Sequence, residues 1–150
     1  MWKKALQFLY VCIQIVCIQM ADISLNENRI GLLIWQTSNL WQSNIRKQIS
    51  KSNLSFNEYL ILETIYNLSN VLPDINQTDI VKHSFIDKSV VSAKLTQLDK
   101  KKLIRKMLPN DNRSNKLALT KEGNFIIEKI INDVISSENV FFSKLNQETF

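Results

Sequence analysis

The stretch from Ile86 to Thr120 constrains the fold most, because its apolar spacing changes once, from helical to strand-like. In its first part, Val91, Leu95 and Leu98 recur at intervals of four and three residues, so they share one face of a helix. Asp87 is a favourable N-cap for this helix. The other side carries short side chains, namely Ser89, Ser92, Ala93 and Thr96. Such a helix surface can approach another surface closely.

Two short strands are predicted after the lysine run Lys100–Lys102. They cover Leu103 to Leu108 and Lys116 to Thr120, and residues 109–115 between them are almost all turn-forming types. A helix with a polar face followed by a hairpin with a charged tip is typical of a winged helix-turn-helix. The pattern therefore predicts a mainly α fold with a small β-hairpin wing.

Positive charge is concentrated in the same stretch. Between Lys82 and Lys116 there are ten basic and three acidic residues, a net charge of +7, whereas the whole chain carries +5. A run of lysines can be a solvated surface only, but here it coincides with the helix-hairpin pattern. The coincidence favours a surface that binds the phosphates of double-stranded DNA.

The rest of the chain is predicted to be helical. The length of 150 residues suits one domain, and two glycines and two prolines leave few chain breaks. A long amphipathic helix is expected at about residues 25–49, and its apolar stripe contains Ile30, Leu33, Ile34, Trp41, Ile45 and Ile49.

Two capping signals mark the starts of the next helices. Ser55 and Glu58 have the spacing of a capping box, and Asn76 with Asp79 begins a short helix. That short helix and the helix at Asp87 together form the predicted helix-turn-helix unit.

A last long helix is expected from Thr120 to about Leu145. It is apolar on more than one side, since Phe125, Ile127, Ile130 and Ile131 do not share one narrow face. Together with the first long helix it predicts a homodimer interface, with plain core packing as the alternative.

The first twenty residues admit three interpretations. A charged start precedes an apolar run, as in a secretory signal or a membrane span, but Gln7 and Gln14 interrupt the run. The third interpretation of this apolar N-terminal extension, residues 1–20, is that translation of the native protein starts at Met20 and that residues 1–19 lie upstream of it. We favour the third interpretation and a cytoplasmic protein, because a basic DNA-binding domain has no evident use outside the cytoplasm.

The sequence gives little support for a catalytic site or a metal-binding site. Cys12, Cys17 and His83 do not provide a metal-ligand set, and His83 is expected on the surface. The sequence has no phosphate-binding glycine loop and no recognisable nucleophile paired with a base. We therefore expect neither an enzyme nor a bound cofactor or metal.

Residues 25–145 resemble the MarR family of bacterial transcription regulators. The resemblance rests on an ordered series of motifs, which are 54–59 (LSFNEY), 76–80 (NQTDI), 87–92 (DKSVVS), 111–113 (DNR) and 119–123 (LTKEG). It implies a domain at 21–150 with a winged helix at about 54–120 and dimerisation helices at about 25–49 and 120–145. It further implies a dimeric repressor that responds to a small aromatic ligand.

Site residues follow from the resemblance by position. In the family, the recognition helix contacts the major groove, an arginine at the wing tip enters the minor groove, and a nearby acidic residue orients that arginine. The matching positions, which are the predicted DNA-binding residues, are Lys88, Ser89, Val90, Ser92, Ala93, Thr96, Asp111 and Arg113. Four aromatic residues are candidates for the ligand pocket, with core packing as the alternative: Trp35, Trp41, Tyr59 and Tyr66.

The sequence also departs from the family. Val90 and Ala93 stand where a hydroxyl and an arginine are common, which predicts weak or altered base readout. Lys102 replaces a common glycine before the first strand, which predicts strain in that turn, and Phe85 sits near a usual glycine. The sequence ends at Phe150, where the family has a further dimerisation helix. This ending leaves open an alternative function, a truncated or degenerate winged-helix protein that acts as a protein-binding adaptor or is an inactive remnant.

Overall fold

The computed structural model describes residues 29–107 and 116–142. Five α-helices and one hairpin occur in this part of the chain, and they confirm the mainly α winged-helix prediction. The helices are α1 (Ile30–Ile49), α2 (Phe56–Ser69), α3 (Gln77–Ser84), α4 (Lys88–Lys100) and α5 (Lys121–Phe141). A 3-10 turn (Ser50–Ser52) follows α1, and the strands are β1 (Ile104–Met107) and β2 (Lys116–Leu119). The apolar extension at residues 1–20 lies outside the described residues.

The chain divides into two compact units. The first comprises, among the described residues, 29–45 and 135–142. Within it, the indole nitrogen Nε1 of Trp41 donates a hydrogen bond of 2.7 Å to Oε1 of Glu138, which joins α1 to the end of α5. Leu33 and Ile45 are buried, whereas Ile34 is exposed. The buried face of α1 is therefore narrower than the apolar stripe that the sequence predicted. The buried side instead includes Thr37, whose hydroxyl bonds back to the carbonyl oxygen of Leu33.

The second unit, Arg46–Val134, is the winged helix. Helix α2 lies at its centre and contacts α3, α4 and β2, while α4 also contacts α3 and β1. Its core includes almost fully buried aliphatic side chains of α2, α3, α4 and β1, among them Ile61, Leu62, Ile80, Leu98 and Ile104. Burial on this scale is the main force that holds the unit together, at about 1.5–3 kcal/mol for each large apolar side chain.

The capping signals form as the sequence predicted. The backbone N–H of Ser55 donates to Oε2 of Glu58 at 2.7 Å, and the Ser55 hydroxyl accepts from the Glu58 N–H in return. Asn76 and Asp79 form the same reciprocal pair at the start of α3. Each box satisfies backbone donors that the first turn of a helix leaves without partners.

The hairpin is antiparallel, with Ile104 opposite Leu119 and Met107 opposite Lys116. Leu103 and Thr120 lie just outside the two strands, which are one residue shorter at this end than predicted, although the N–H of Thr120 donates at 3.0 Å to the carbonyl oxygen of Leu103. Leu108 lies outside the described residues. The N–H of Leu117 donates at 2.7 Å to the carbonyl oxygen of Ile75, so the segment before α3 adds a single bond to the sheet edge.

Two joints beside α4 adopt the left-handed conformation. Phe85, with φ of 56°, ends α3, and Lys102, with φ of 59°, follows α4. The N–H groups of Lys102 and Leu103 bond to the carbonyls of Asp99 and Leu98, which is the Schellman arrangement that usually has glycine at this position. Both backbone positions therefore favour glycine, and Lys102 is the position where the resemblance predicts one.

Replacing Phe85 with glycine is expected to raise the free energy of unfolding by about 1 kcal/mol. The phenyl ring is 93% exposed, so its removal loses almost no burial, while the left-handed backbone becomes favourable. Urea denaturation measures the change. Phe85→Ala is the matched control, because it removes the ring but keeps a Cβ, and it should leave stability nearly unchanged. Equal stabilisation by alanine and glycine would contradict the backbone explanation.

No helix in the described ranges has both the length and the apolar character needed to cross a membrane.

Candidate nucleic-acid interface

Helix α4 has two distinct faces. Val91, Leu95 and Leu98 are buried against the core. Five of the predicted DNA-binding residues are exposed on the helix, namely Lys88, Ser89, Ser92, Ala93 and Thr96, and Val90 is half-buried at the edge of that surface. The structure thus brings the six predicted residues of α4 together on one side. We call the exposed side of α4 the polar face.

Lys100 is a further member of the polar face that the family positions did not indicate. It lies one and two helical turns beyond Thr96 and Ala93 on the same side of α4, and it is exposed. The helical spacing that identified Val91 and Leu95 as buried also places Lys100 opposite them. Its position was therefore available from the sequence.

The first turn of α4 is held by Asp87. Its Oδ1 accepts the backbone N–H of Ser89 at 2.7 Å and also the hydroxyl of Ser89. The hydrogen bond from the Ser89 side chain is the largest influence that lowers the pKa of the Asp87 carboxyl, and the backbone bond adds to it. A carboxylate at this position also suits the positive end of the helix dipole.

The last turn of α4 is tied to α2 by Lys101. Its ammonium Nζ lies 2.8 Å from Oε1 of Glu58 and donates at 2.7 Å to the carbonyl oxygen of Asn53. Glu58 is only 3% exposed, although it also completes the capping box of α2. Burial is the largest influence on the Glu58 carboxyl and raises its pKa, but hydrogen bonds from Lys101 and Ser55 and the charge of Lys101 together lower the pKa below its usual value.

Ion pairs neutralise some of the lysines in the basic stretch from Lys82 to Lys116. Lys101 is bound to Glu58, Lys116 lies 2.7 Å from Asp74, and Lys106 lies 3.7 Å from Asp99. The exposed basic residues elsewhere in the described part of this stretch are Lys82, Lys88, Lys100, Lys102 and Arg105. The positive surface therefore surrounds the two ends of α4 and the first strand of the hairpin.

A cleft of about 260 Å³ lies between the start of α3, the polar face and the hairpin. Ser92 and Thr96 line it, together with the polar side chains of Asn76, Gln77 and Thr78 and with Lys106. The sequence identified Asn76 as a helix cap and as part of the motif at 76–80, but not as a residue beside the polar face. Its position beside the polar face depends on how α3 packs against α4, which local spacing does not reveal.

The wing-tip residues Asp111 and Arg113 lie outside the described residues, so their proposed mutual contact stays a prediction.

The four aromatic pocket candidates have different environments. Tyr59 is a core residue, in line with the alternative interpretation, whereas Trp35 is 63% exposed. Trp41 is half-buried in its bond to Glu138, and the Tyr66 hydroxyl lies 3.4 Å from Oε1 of Glu128. Their part in a ligand pocket remains a prediction.

Within the described part of the chain, no three His, Cys, Asp or Glu side chains are placed to hold a metal ion together.

No family model matches the sequence. Solved structures do match the fold. The Bordetella bronchiseptica protein BpsR, whose DNA binding is regulated by 6-hydroxynicotinic acid, is 19% identical with a TM-score of 0.72, over 85% of this chain and 89% of that protein. The Staphylococcus aureus MepR–DNA complex contains a chain that is 21% identical with a TM-score of 0.71, over 83% and 88%.

A MarR-family transcriptional regulator from Rhodococcus sp. RHA1 is similar to the same extent, with 17% identity and a TM-score of 0.72 over 84% of this chain and 87% of that one. These matches extend over most of each protein. The chain therefore has the winged helix-turn-helix fold of the MarR-family regulators.

Proposed function

We propose that this protein is a MarR-family transcription regulator that binds double-stranded DNA as a homodimer. The observation that carries the proposal is the polar face of α4, exposed on a winged helix and surrounded by exposed lysines and Arg105. A recognition helix needs a surface of this kind, because its side chains must reach base edges while nearby cations neutralise phosphates. The MepR–DNA complex, which has the same fold, supports the proposal.

In the proposed complex, α4 of each protomer enters a major groove of a near-palindromic site. The hairpin lies beside α4 and would reach the flanking minor groove. Lys88 and Lys100, at the two ends of the polar face, are placed to contact phosphates on either side of the groove. A cytoplasmic location belongs to the same proposal, because the DNA partner is found there.

Dimerisation is supported by apolar side chains that the single chain leaves exposed on the long helices. Trp35, Ile34 and Leu40 are exposed on α1, and Ile135 and Val140 on α5. Exposed apolar surface on helices is costly in water and is typical of protein interfaces. A second copy of the chain is the partner that we propose for it.

A small aromatic effector is the last part of the proposal. Its support is BpsR, which has the same fold and whose DNA binding is regulated by 6-hydroxynicotinic acid. An effector would act by favouring a conformation in which the two copies of α4 no longer match the spacing of the DNA grooves. We expect such a ligand to release DNA, which makes the protein a ligand-responsive repressor.

Selection of bound fragments from random duplex DNA, with the oligomeric state measured alongside, tests the main proposal. We expect a dimer that enriches a near-palindromic sequence, and an affinity that falls with salt by a slope of roughly −0.9 for each phosphate neutralised. A monomer that binds DNA weakly and without sequence preference would reject it. That result would favour the adaptor or inactive remnant instead.

Changing Arg113 to alanine is expected to weaken DNA binding by about 1–3 kcal/mol, because the family resemblance places this guanidinium in a narrow, negative minor groove. Fluorescence anisotropy with the selected duplex measures the effect. Arg29→Ala is the matched control: it also removes one arginine, from an exposed position before α1. Equal affinities for Arg113→Ala and Arg29→Ala would rule out the wing contact.

A further inference from the structure

The polar face presents short side chains where a recognition helix contacts bases. Its first two turns carry Ser89, Ser92 and Ala93, followed by Thr96. None of these side chains is long enough to span a groove, so the helix must approach the base edges closely for them to touch. At that distance, methyl groups and hydroxyl oxygens are what the bases meet.

Two of the three hydroxyl groups on this face use their proton within the protein. The hydroxyl of Ser89 donates to Oδ1 of Asp87, and the hydroxyl of Thr96 donates at 3.1 Å to the carbonyl oxygen of Ser92. A hydroxyl that has donated its proton keeps lone pairs and therefore acts towards a ligand as an acceptor. Thr96 additionally carries a methyl group on the same carbon atom as this hydroxyl.

The long polar side chains that usually read bases are scarce on this helix. Helix α4 contains no arginine, the most common reader of guanine, and no asparagine, which reads adenine. Its single amide side chain, Gln97, accepts a hydrogen bond of 2.8 Å from Nζ of Lys94 within the helix. The exposed ammonium groups of the polar face, on Lys88 and Lys100, stand at its ends, and we assign them to phosphates.

The base edges decide which sequence such a face suits. In the major groove guanine presents two acceptors, cytosine an N4 donor, adenine an N6 donor beside an acceptor, and thymine an acceptor beside its C5-methyl group. Acceptor hydroxyls can pair with the N6 donor of adenine or the N4 donor of cytosine. The methyl groups of Ala93 and Thr96 suit the thymine methyl, and this apolar contact is what favours A·T pairs. Resting on the proposed function, we infer that α4 reads A·T base pairs, with Ala93 and Thr96 against thymine methyls and Ser89 and Thr96 as acceptors.

Replacing thymine by deoxyuridine tests the inference from the DNA side. This substitution removes only the C5-methyl group and retains base pairing, so it leaves the fold of the protein untouched. The full chain is first used to select its sites from random duplex DNA. Its affinity is then measured for the selected duplex and for versions with single thymines replaced. We expect A·T pairs at the positions that face α4 and a loss of about fourfold for each contacted methyl group.

The variant Thr96→Ser makes the test specific to one residue, because it removes the γ-methyl group and keeps the hydroxyl. At one position in each half-site, this variant should bind duplexes with thymine and duplexes with deoxyuridine with equal affinity. At the other thymine positions that α4 contacts, it should still bind the thymine duplex more tightly. Thr64→Ser in α2 is the matched control, since the Thr64 hydroxyl makes the same kind of bond to the carbonyl four residues earlier. It should discriminate as the unmodified protein does.

Sequence-specific binding to sites with G·C pairs opposite α4 would overturn this inference and leave the proposed function standing. Sequence-specific binding whose affinity is unchanged by every thymine-to-deoxyuridine replacement would have the same consequence. Absence of sequence-specific binding would reject both.

Discussion

Substituting alanine for Gly123 is expected to lower the free energy of unfolding by about 3 kcal/mol or more, which is a large part of the stability of a domain of this size. A Cβ atom at Gly123 would lie 3.0 Å from the carbonyl carbon of Leu103 and closer still to its oxygen. The atoms that would have to move belong to the backbone. Thermal or urea denaturation of the variant measures the loss.

The Leu103 carbonyl has little freedom to yield. Its oxygen accepts the backbone N–H of Thr120 at 3.0 Å. The Thr120 hydroxyl donates mainly to the carbonyl oxygen of Lys102, at 2.8 Å, and lies 3.3 Å from the Leu103 oxygen. The same hydroxyl accepts the N–H of Gly123 at 3.0 Å as the cap of α5. A side chain at Gly123 would therefore disturb the start of β1, the end of β2 and the first turn of α5 together.

Gly31→Ala is the matched control, because a Cβ at Gly31 would have no neighbour within 4 Å. Gly31 lies inside α1, where alanine is the better helix former, so this variant should gain about 0.5–1 kcal/mol. Opposite effects of the same substitution at two helical glycines would identify the Leu103 contact as the cause. A Gly123→Ala variant as stable as the unmodified protein would disprove the close approach.

Changing Lys101 to methionine is expected to destabilise the winged helix by roughly 2–4 kcal/mol, because the buried carboxylate of Glu58 loses its cation. We place the effect below that of a fully buried pair, since the Lys101 side chain is 33% exposed and solvent screens part of the interaction. Lys100→Met, one residue away on the polar face, should change stability little.

A double variant separates the ion pair from packing. When Glu58→Gln is combined with Lys101→Met, no buried charge is left without a partner, and part of the lost stability should return. An additive result, in which the double variant loses the sum of both single effects, would contradict the coupling between Glu58 and Lys101.

The dependence on pH provides a second measurement of the same pair. The pKa of Glu58 is lower in the folded protein than its ordinary value of 4.5, so the carboxylate favours folding at every pH above that value. Stability should fall as the pH drops below 4.5 and passes through the lowered pKa. Glu58→Gln should reduce this dependence. An unchanged acid profile in that variant would show that other carboxylates cause it.

Local order was predictable because it depends on neighbours in the sequence. The box of Ser55 with Glu58, the box of Asn76 with Asp79, and the Asp87 cap each act over two or three residues. The buried stripe of α4 follows from helical geometry alone. The strained turn at Lys102 was also foreseeable, because the resemblance places a glycine at this position.

Contacts between distant residues were not predictable by spacing. The charge count of the sequence included Lys101 among the basic residues expected to bind DNA. In the structure Lys101 instead forms an ion pair with Glu58, which lies 43 positions earlier in the sequence. The motif at 119–123 contains Gly123, but the sequence alone gave no physical reason for a glycine there. The reason is the Leu103 carbonyl group, which folding brings against the first turn of α5.

The sequence by itself determined where the helices of the winged helix begin and which side of α4 is apolar, because propensity, capping and periodicity are properties of consecutive residues. Only the tertiary structure decided that Lys101 is held in an ion pair with Glu58 and that Gly123 has no room for a side chain. Those properties depend on atoms that chain folding brings within a few ångströms of each other from distant parts of the sequence.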